Sequence, residues 1–344
     1  MAIHNSRENR TYAHRFKNPV SACELVTKHP IFYRNCFFWR HYYKIKQRCD
    51  RHLYFPLIRT EKIVQKTEVK NDLEFYDENA DNWWDENAKI YALYHLNKPR
   101  FEFFDRHATN WRGLKTLDVG CGGGFSCEFM AERGAVVSGI DRSEKCIVAA
   151  QNHAVTSGFE IDYRQGFAEN MPYDDNTFDV VICVDVLEHV ADYKKVVSEV
   201  HRILKPGGLF FFDTINRTFS SQIVMIGLME NTLQEIKRGV HDWDKFITPE
   251  ELSVVMRDTG FGNIEIKGFD MFGEMGAILA QMHGFWGNFT SGKQLFPSGE
   301  SFRQVSQVLI SNIANYFDYK KSGLFKIKIN EDTSIMYVGV GAKN

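Results

Sequence analysis

The sequence predicts an α/β fold in which a mostly parallel β-sheet carries helices on both faces. Apolar segments of strand length alternate with helical segments between about residues 115 and 215. Glycine and proline mark the ends of these segments, as in Pro206-Gly207-Gly208, and the connections are short. A glycine-rich loop, Gly120-Cys121-Gly122-Gly123-Gly124, follows the first apolar strand. Strands that alternate with helices pair in parallel through right-handed crossovers.

The elements follow in a regular order after a helical segment at 73–106. Strands are expected at 115–120, 136–141, 161–166, 178–185 and 208–215. Helices are expected between them, at about 124–133, 143–157 and 192–204. A helix at 249–259 and a strand at 263–270 come next. The last strand, near 334–342, is predicted to form a hairpin with residues 323–330.

Two segments lie outside this pattern. Residues 1–72 are predicted to be a basic, aromatic-rich arm, since the first 70 residues hold 15 Lys and Arg against 5 Asp and Glu. Residues 73–344 are predicted to be one domain, with 271–322 inserted before the last strand as a lid or an interface. The arm is interpreted as packing on the acidic body or on a second subunit, so a homodimer through the arm or the insertion is one expectation. Peripheral membrane contact is the alternative, and no nucleic-acid partner is expected.

The cysteine content indicates the compartment. Seven Cys, an odd number without paired-motif spacing, favour reduced thiols and an intracellular, most simply cytoplasmic, protein. The periphery of the mitochondrial inner membrane is the alternative. No apolar run approaches the roughly 18 residues that span a bilayer.

The glycine loop predicts a nucleoside ligand without a phosphate. Its spacing is neither the GxGxxG of dinucleotide folds nor that of a P-loop. Asp118 precedes the loop, where an acid disfavours a pyrophosphate and suits a cationic ligand. Asp141 ends the second strand, where an acid can bind a ribose diol, and Ala168-Glu169 follow the third. This set fits S-adenosylmethionine, which joins a sulfonium, an ammonium, a ribose and an adenine.

The order of these motifs resembles class I S-adenosylmethionine-dependent methyltransferases, which implies a Rossmann-like, seven-stranded sheet. A closer resemblance, over roughly residues 73–270 and the last twenty, is to the ubiquinone-biosynthesis O-methyltransferase family. It is carried by Asn82-Trp83-Trp84-Asp85, Leu96-Asn97-Lys98-Pro99-Arg100, Asp185-Val186-Leu187-Glu188-His189, Thr214-Ile215-Asn216-Arg217 and the segment 239–247. By this resemblance Arg100, Gly120, Asp141 and Val184 contact the cofactor, with Arg100 on the methionine carboxylate. The full predicted set is Arg100, Asp118, Gly120, Cys121, Gly122, Asp141, Arg142, Ala168, Glu169 and Val184.

The chemistry is expected after the fourth strand. Asp185, Glu188 and His189 stand at i, i+3 and i+4, so a helical turn would place them on one face. Two carboxylates and an imidazole could bind Mg²⁺, and the resemblance also implies a metal there. Two alternatives stay open: His189 as a general base, and a purely structural turn. His241 is a further candidate for orienting the substrate, with catalytic roles predicted for Asp185, His189 and His241.

The predicted acceptor is a small aromatic molecule, most simply a phenol, which is prenylated if the family resemblance extends to the substrate. Residues 221–237 have apolar side chains at helical spacing and are predicted to be a lid helix over the acceptor. Because the inserted segment departs from the family pattern, a C- or N-methyltransferase acting on a natural-product precursor is one alternative. A non-catalytic partner subunit that binds the cofactor is another.

Overall fold

The structure is a computed structural model and describes residues 70–271 and 327–344. Most of the predicted arm and nearly all of the insertion lie outside the described residues, as do the dimer and membrane contacts predicted for them. The described part opens with α1 (Glu74–Asn79), 3₁₀ turns over Ala80–Asn82 and Lys89–Tyr91, and α2 (Ala92–Phe104). The predicted helical segment is therefore broken around residue 83, and its last helix ends at Phe104.

Five strands form the parallel part of the sheet, as predicted. They are β1 (Lys115–Val119), β2 (Val136–Asp141), β3 (Asp162–Gln165), β4 (Phe178–Cys183) and β5 (Leu204–Ile215). They lie side by side in the order β3-β2-β1-β4-β5, and every pairing among them is parallel. The order reverses at β1, so the carboxyl ends of β1 and β4 open a crevice at the point where ligands bind in such sheets.

Three helices connect these strands and cover both faces. They are α3 (Phe125–Glu132), α4 (Glu144–Ser157) and α5 (Tyr193–Ile203). Ser143 caps α4 by accepting a hydrogen bond from the Cys146 N–H, and Asp192 caps α5 through the N–H groups of Lys194 and Lys195. Phe210 and Phe212 pack into the core on one face of the sheet, and Phe211 into the core on the other. All three side chains are fully buried, which fits a central strand covered on both faces.

The remaining strands form an antiparallel extension of the sheet. They are β6 (Phe261–Asp270), β7 (Lys328–Asn330) and β8 (Met336–Lys343). β8 lies between β5 and β6 and is antiparallel to both, while β7 pairs with the outer side of β6. The predicted hairpin is therefore wrong for its described residues, because β6 separates the two strands. The described sheet has eight strands, one more than predicted.

The predicted lid helix is shorter than expected. A short helix, α6 (Phe219–Ser221), continues as a π-helix over Gln222–Glu230, and the chain then leaves the helical path before a 3₁₀ turn at Trp243–Lys245. The π-helix ends where the Asn231 side chain donates a hydrogen bond to the Ile226 carbonyl oxygen. The last helix, α7 (Pro249–Thr259), matches its prediction. Within the described ranges no helix combines the length and apolar character needed to cross a membrane.

Candidate active site

A cavity of about 400 Å³ opens at the carboxyl ends of the parallel strands. All ten residues predicted to contact the cofactor line it. Asp185 and His189 line it as well, whereas Glu188 and His241 do not. Motifs that are spread over 90 positions of the sequence therefore converge on one cavity, at the edge of the sheet where the strand order reverses.

The glycine loop packs too closely against its neighbours to carry side chains. Gly120 and Gly122 have φ angles of 74° and 51°, in the left-handed region that favours glycine. A Cβ atom at Gly120 would lie 2.3 Å from Val186 Cγ2. One at Gly122 would lie 2.3 Å from Trp83 Cζ2. Trp83 therefore forms a wall over the loop, and the Trp84 indole N–H donates to the Gly123 carbonyl oxygen at 2.8 Å.

Asp141 connects the loop to the second strand. Its carboxylate accepts hydrogen bonds from the Gly122 N–H at 2.9 Å and the Ser143 N–H at 2.8 Å. Burial raises the pKa of this carboxyl, and the two backbone donors oppose that shift. Each carboxylate oxygen keeps a free lone pair, so Asp141 remains able to accept hydrogen bonds from the two hydroxyls of a ribose.

Asp118 has a buried, unsatisfied acceptor oxygen next to the site. Its side chain is buried, and its Oδ1 has no hydrogen-bond partner within the described structure. Burial raises the pKa of Asp118 to about 7. Asp118 lines the cavity, so its buried carboxyl lies beside the space that a cationic ligand group would occupy.

Arg100 is held by two carboxylates, a contact that the sequence did not predict. Its Nε donates to Asp213, and its NH2 donates to Asp185 Oδ2 at 2.5 Å. Asp213 also accepts the backbone N–H of Asp185 at 2.8 Å. The Arg100 and Asp213 side chains are almost completely buried. The predicted contact between Arg100 and the methionine carboxylate stays a prediction, and it would have to use NH1 or the second N–H of NH2.

The predicted metal ligands do not form a metal site in this arrangement. Among residues 70–271 and 327–344, no three His, Cys, Asp or Glu side chains are grouped so that they could hold an ion. Asp185 is paired with Arg100. Glu188 does not line the cavity, and its carboxyl accepts a hydrogen bond from Thr214 Oγ1 at 2.8 Å. Burial raises the pKa of Glu188 to about 8, which favours its neutral form. In this arrangement the three side chains have separate partners and do not converge on one ion, so the predicted Mg²⁺ site finds no support in the described residues.

His189 has a defined orientation on the cavity wall. Its Nδ1 lies 3.0 Å from Asn71 Oδ1, and its Nε2 lies 3.3 Å from the Tyr76 hydroxyl. Asn71 also donates from Nδ2 to the His189 carbonyl oxygen at 2.9 Å. Burial lowers the pKa of His189 well below its ordinary value, and the neighbouring His241 and Lys245 lower it further. The imidazole is therefore neutral.

His241 lies behind His189 rather than on the cavity. The two rings stack with centroids 5.3 Å apart. His241 Nδ1 lies 2.7 Å from Glu230 Oε1, and the same buried carboxylate accepts the backbone N–H groups of Gly239 and His241 at 2.9 Å. His241 therefore does not contact the cavity directly, and its predicted role in orienting the substrate stays a prediction.

Five residues of this region escaped the sequence analysis as functional candidates. A local signal existed for two of them, since Asp213 is a lone acid in an apolar strand and Glu230 ends an apolar run. Trp83 belongs to the Asn82–Asp85 motif that carries the family resemblance, whereas Asn71 and Tyr76 had no signal, because their partners are distant in sequence. These residues are Asn71, Tyr76, Trp83, Asp213 and Glu230.

Comparison with known proteins agrees with this geometry. Residues 117–212 match the family model described as a methyltransferase domain. A protein of Chromobacterium violaceum named ubiquinone biosynthesis O-methyltransferase is 39% identical over 201 residues, which are 57% of this chain and 85% of that protein. A protein of the same name from Pseudomonas syringae pv. tomato is 43% identical over 193 residues, which are 55% of this chain and 82% of the relative. This chain belongs to the ubiquinone biosynthesis O-methyltransferase family.

A third relative of the same name, from Roseobacter denitrificans, is 38% identical over 216 residues and matches 60% of this chain and 87% of its own length. The chain is an S-adenosylmethionine-dependent methyltransferase. Its cavity is therefore the natural place for that cofactor, although the roles of individual lining residues stay predictions.

Proposed function

We propose that this methyltransferase transfers the methyl group of S-adenosylmethionine to the hydroxyl oxygen of a phenolic acceptor, with His189 as the general base. The observation that carries the proposal is the orientation of His189, a neutral imidazole on the wall of the cavity. The name of the relatives, ubiquinone biosynthesis O-methyltransferase, supports an acceptor of the ubiquinone-precursor class.

The hydrogen bonds of Asn71 support one tautomer of His189. Because Asn71 Nδ2 donates to the His189 carbonyl oxygen, Asn71 Oδ1 is the atom that faces Nδ1. A carbonyl oxygen only accepts, so the proton of the neutral ring belongs on Nδ1. Nε2 then carries the lone pair, which accepts a hydrogen bond from the Tyr76 hydroxyl at 3.3 Å. Because Tyr76 lines the same cavity, we propose that the hydroxyl of the acceptor takes the place of this donor when it binds.

The proposed step balances without a further reagent. The phenol oxygen attacks the methyl carbon in line with the sulfonium, and the carbon–sulfur bond breaks as the new carbon–oxygen bond forms. The sulfur takes the bonding pair and leaves as neutral S-adenosylhomocysteine. The phenol proton passes to His189 Nε2. A free phenol has a pKa of about 10, so removing this proton during attack is worth a factor of about 10² to 10⁴ in rate.

A product analysis tests the proposal. The enzyme is incubated with methyl-labelled S-adenosylmethionine and a panel of phenols with and without a prenyl chain, in the presence of EDTA. We expect a labelled methyl ether, and we expect His189→Gln to lose at least about 100-fold in kcat. His201→Gln is the control, because burial also lowers the pKa of this half-buried histidine, but His201 packs against Phe261 and does not line the cavity. Methylation at carbon or nitrogen only would contradict the proposal. Loss of activity in EDTA with recovery in Mg²⁺ would also contradict it.

A further inference from the structure

The backbone that carries His189 is bonded to side chains from distant parts of the chain. The His189 carbonyl oxygen accepts a hydrogen bond from Asn71 Nδ2 at 2.9 Å. The next carbonyl oxygen, that of Val190, accepts one from Lys245 Nζ at 2.6 Å. One donor lies 118 positions before its acceptor and the other lies 55 positions after it, so two separate segments hold this backbone.

A third side chain completes this support. The Ala191 N–H donates to Glu169 Oε1 at 3.0 Å, so each of the residues 189–191 has a main-chain group bonded to the side chain of another segment. These three residues and their three partners all line the cavity. Residues 189–191 lie between β4 and α5, outside both elements, and the side-chain bonds therefore tie this connection to the rest of the cavity wall.

Lys245 makes the shortest of these three bonds, and its own backbone is anchored. It ends the 3₁₀ turn Trp243–Lys245, in which the Trp243 indole N–H donates to the Thr218 carbonyl oxygen at 3.1 Å. Just after the turn, the Ile247 N–H donates to the carbonyl oxygen of Ile215, the last residue of β5, at 3.2 Å. The ammonium is a charged donor, and such hydrogen bonds are roughly twice as strong as neutral ones. Lys245 thus links the connection after β4 to the end of β5.

We propose that Lys245 is a positioning residue that holds His189 at the cavity through the Val190 carbonyl oxygen. This role rests on the proposed function, in which His189 is the base. A general base must lie within hydrogen-bond reach of the proton that it removes, and a displacement of about 1 Å can cost about 100-fold in rate. Without Lys245 the connection loses one of its three supports, and His189 spends less time within reach of the acceptor hydroxyl.

Two acceptors, one of which needs no base, separate this role from a merely structural one. Single-turnover rates of methyl transfer at pH 8, with saturating S-adenosylmethionine, are measured for an ordinary phenol and for a nitro-substituted phenol that is already ionised. The full-length variants are Lys245→Met, His189→Gln and the double variant. Lys89→Met is the matched control, because Lys89 Nζ also donates to a carbonyl oxygen at 2.6 Å, that of Gln234, but does not line the cavity.

We expect Lys245→Met to slow the ordinary phenol about 10- to 100-fold and to leave the ionised phenol within about twofold of the wild-type rate. When residue 189 is already Gln, Lys245→Met should have little further effect, because the two residues act together. Lys89→Met should change neither rate. An equal loss for both acceptors would make Lys245 a structural residue or a direct contact of the acceptor, and would overturn the proposal. An unchanged rate for the ordinary phenol would overturn it as well.

The rate of His189→Gln separates this role from the proposed function. If His189→Gln is slow and Lys245→Met is not, the base stands and only the positioning role falls. If His189→Gln loses no rate with the ordinary phenol, the base is wrong and the positioning role falls with it. If Lys245→Met does not fold, Lys245→Gln, which keeps a shorter and uncharged N–H donor, takes its place with the same acceptors and the same criteria.

Discussion

Asn71 contacts His189 at both its side chain and its main chain. The Asn71 amide oxygen accepts from Nδ1 of the imidazole at 3.0 Å, and the amide nitrogen donates to the His189 carbonyl oxygen at 2.9 Å. The two bonds fix the amide and the ring against each other. They explain how the proposed base is kept in one tautomer and one orientation on the cavity wall.

Removing this contact should slow methyl transfer without preventing cofactor binding. In Asn71→Ala the ring would lose the acceptor for its Nδ1 proton and would populate the other tautomer, which presents a protonated Nε2 to the acceptor. We expect kcat to fall about 10- to 100-fold, with the dissociation constant of S-adenosylmethionine within about twofold of wild type. Asn79→Ala is the control, because Asn79 donates a similar bond to the Phe75 carbonyl oxygen but does not touch His189. An unchanged kcat in Asn71→Ala would show that His189 does not depend on this contact.

The buried Glu188 should make the ligand-free protein less stable as the pH rises. Its pKa is about 8 in the folded protein and 4.5 in the unfolded chain, so folding favours the protonated form. The stabilisation is complete below pH 4.5 and is lost as the pH rises toward 8, by at most about 1.4 kcal/mol per pH unit.

Glu188→Gln removes this titration and keeps an oxygen for Thr214. Between pH 5.5 and 7.5 we expect the free energy of unfolding of wild type to fall by about 1–3 kcal/mol relative to the variant. Urea titrations of both proteins at the two pH values measure this difference. If the free energy of unfolding changes with pH equally in wild type and Glu188→Gln, Glu188 is ionised in the folded protein.

The glycine loop should tolerate no methyl group at Gly122. Alanine there would meet Trp83 at 2.3 Å and adopt a φ of 51°, whereas alanine at Gly158 would adopt a φ of 76° with nothing within 4 Å. Gly158→Ala therefore measures backbone strain alone, about 1–2 kcal/mol. We expect Gly122→Ala to abolish measurable S-adenosylmethionine binding in calorimetry and Gly158→Ala to retain it. Normal binding by Gly122→Ala would contradict the packing of Trp83 on the loop.

Glu230 should matter for stability, since it satisfies three donors inside the protein. In Glu230→Gln, an amide N–H₂ would replace one carboxylate oxygen and face a donor. We expect a loss of about 1–3 kcal/mol in the free energy of unfolding, measured in urea. Glu250→Gln, at an exposed position of α7, should stay within about 0.5 kcal/mol of wild type. An unchanged free energy of unfolding in Glu230→Gln would show that the loop at Gly239 rearranges to satisfy its donors.

The sequence was most informative where chemistry and local structure depend on the same few residues. The glycine loop, Asp141 and the segment at Ala168 each stand next to a strand end, so the strand pattern alone brought them to one edge of the sheet. The parallel strands were predictable for a similar reason, because helices return the chain after β1, β2 and β4.

Contacts between distant residues could not be predicted in this way. Asn71 and His189 are 118 positions apart, and no periodic pattern relates them. The hairpin prediction failed because strand neighbours in an antiparallel sheet depend on burial. β8 is apolar and buried enough to lie between β5 and β6, whereas the short, partly exposed β7 suits the edge. The predicted metal site finds no support in the described residues, where Arg100 reaches Asp185 from a helix 85 positions earlier.

The most direct test of the account compares two acceptors in the His189→Gln variant. One is an ordinary phenol with a pKa of about 10, and the other is a nitro-substituted phenol that is already ionised at pH 8 and needs no base. Single-turnover rates of methyl transfer are measured for both at pH 8, with saturating S-adenosylmethionine. We predict that His189→Gln slows the ordinary phenol by at least about 100-fold and leaves the ionised phenol close to its wild-type rate. An equal loss for both acceptors would contradict the role of His189 as the base.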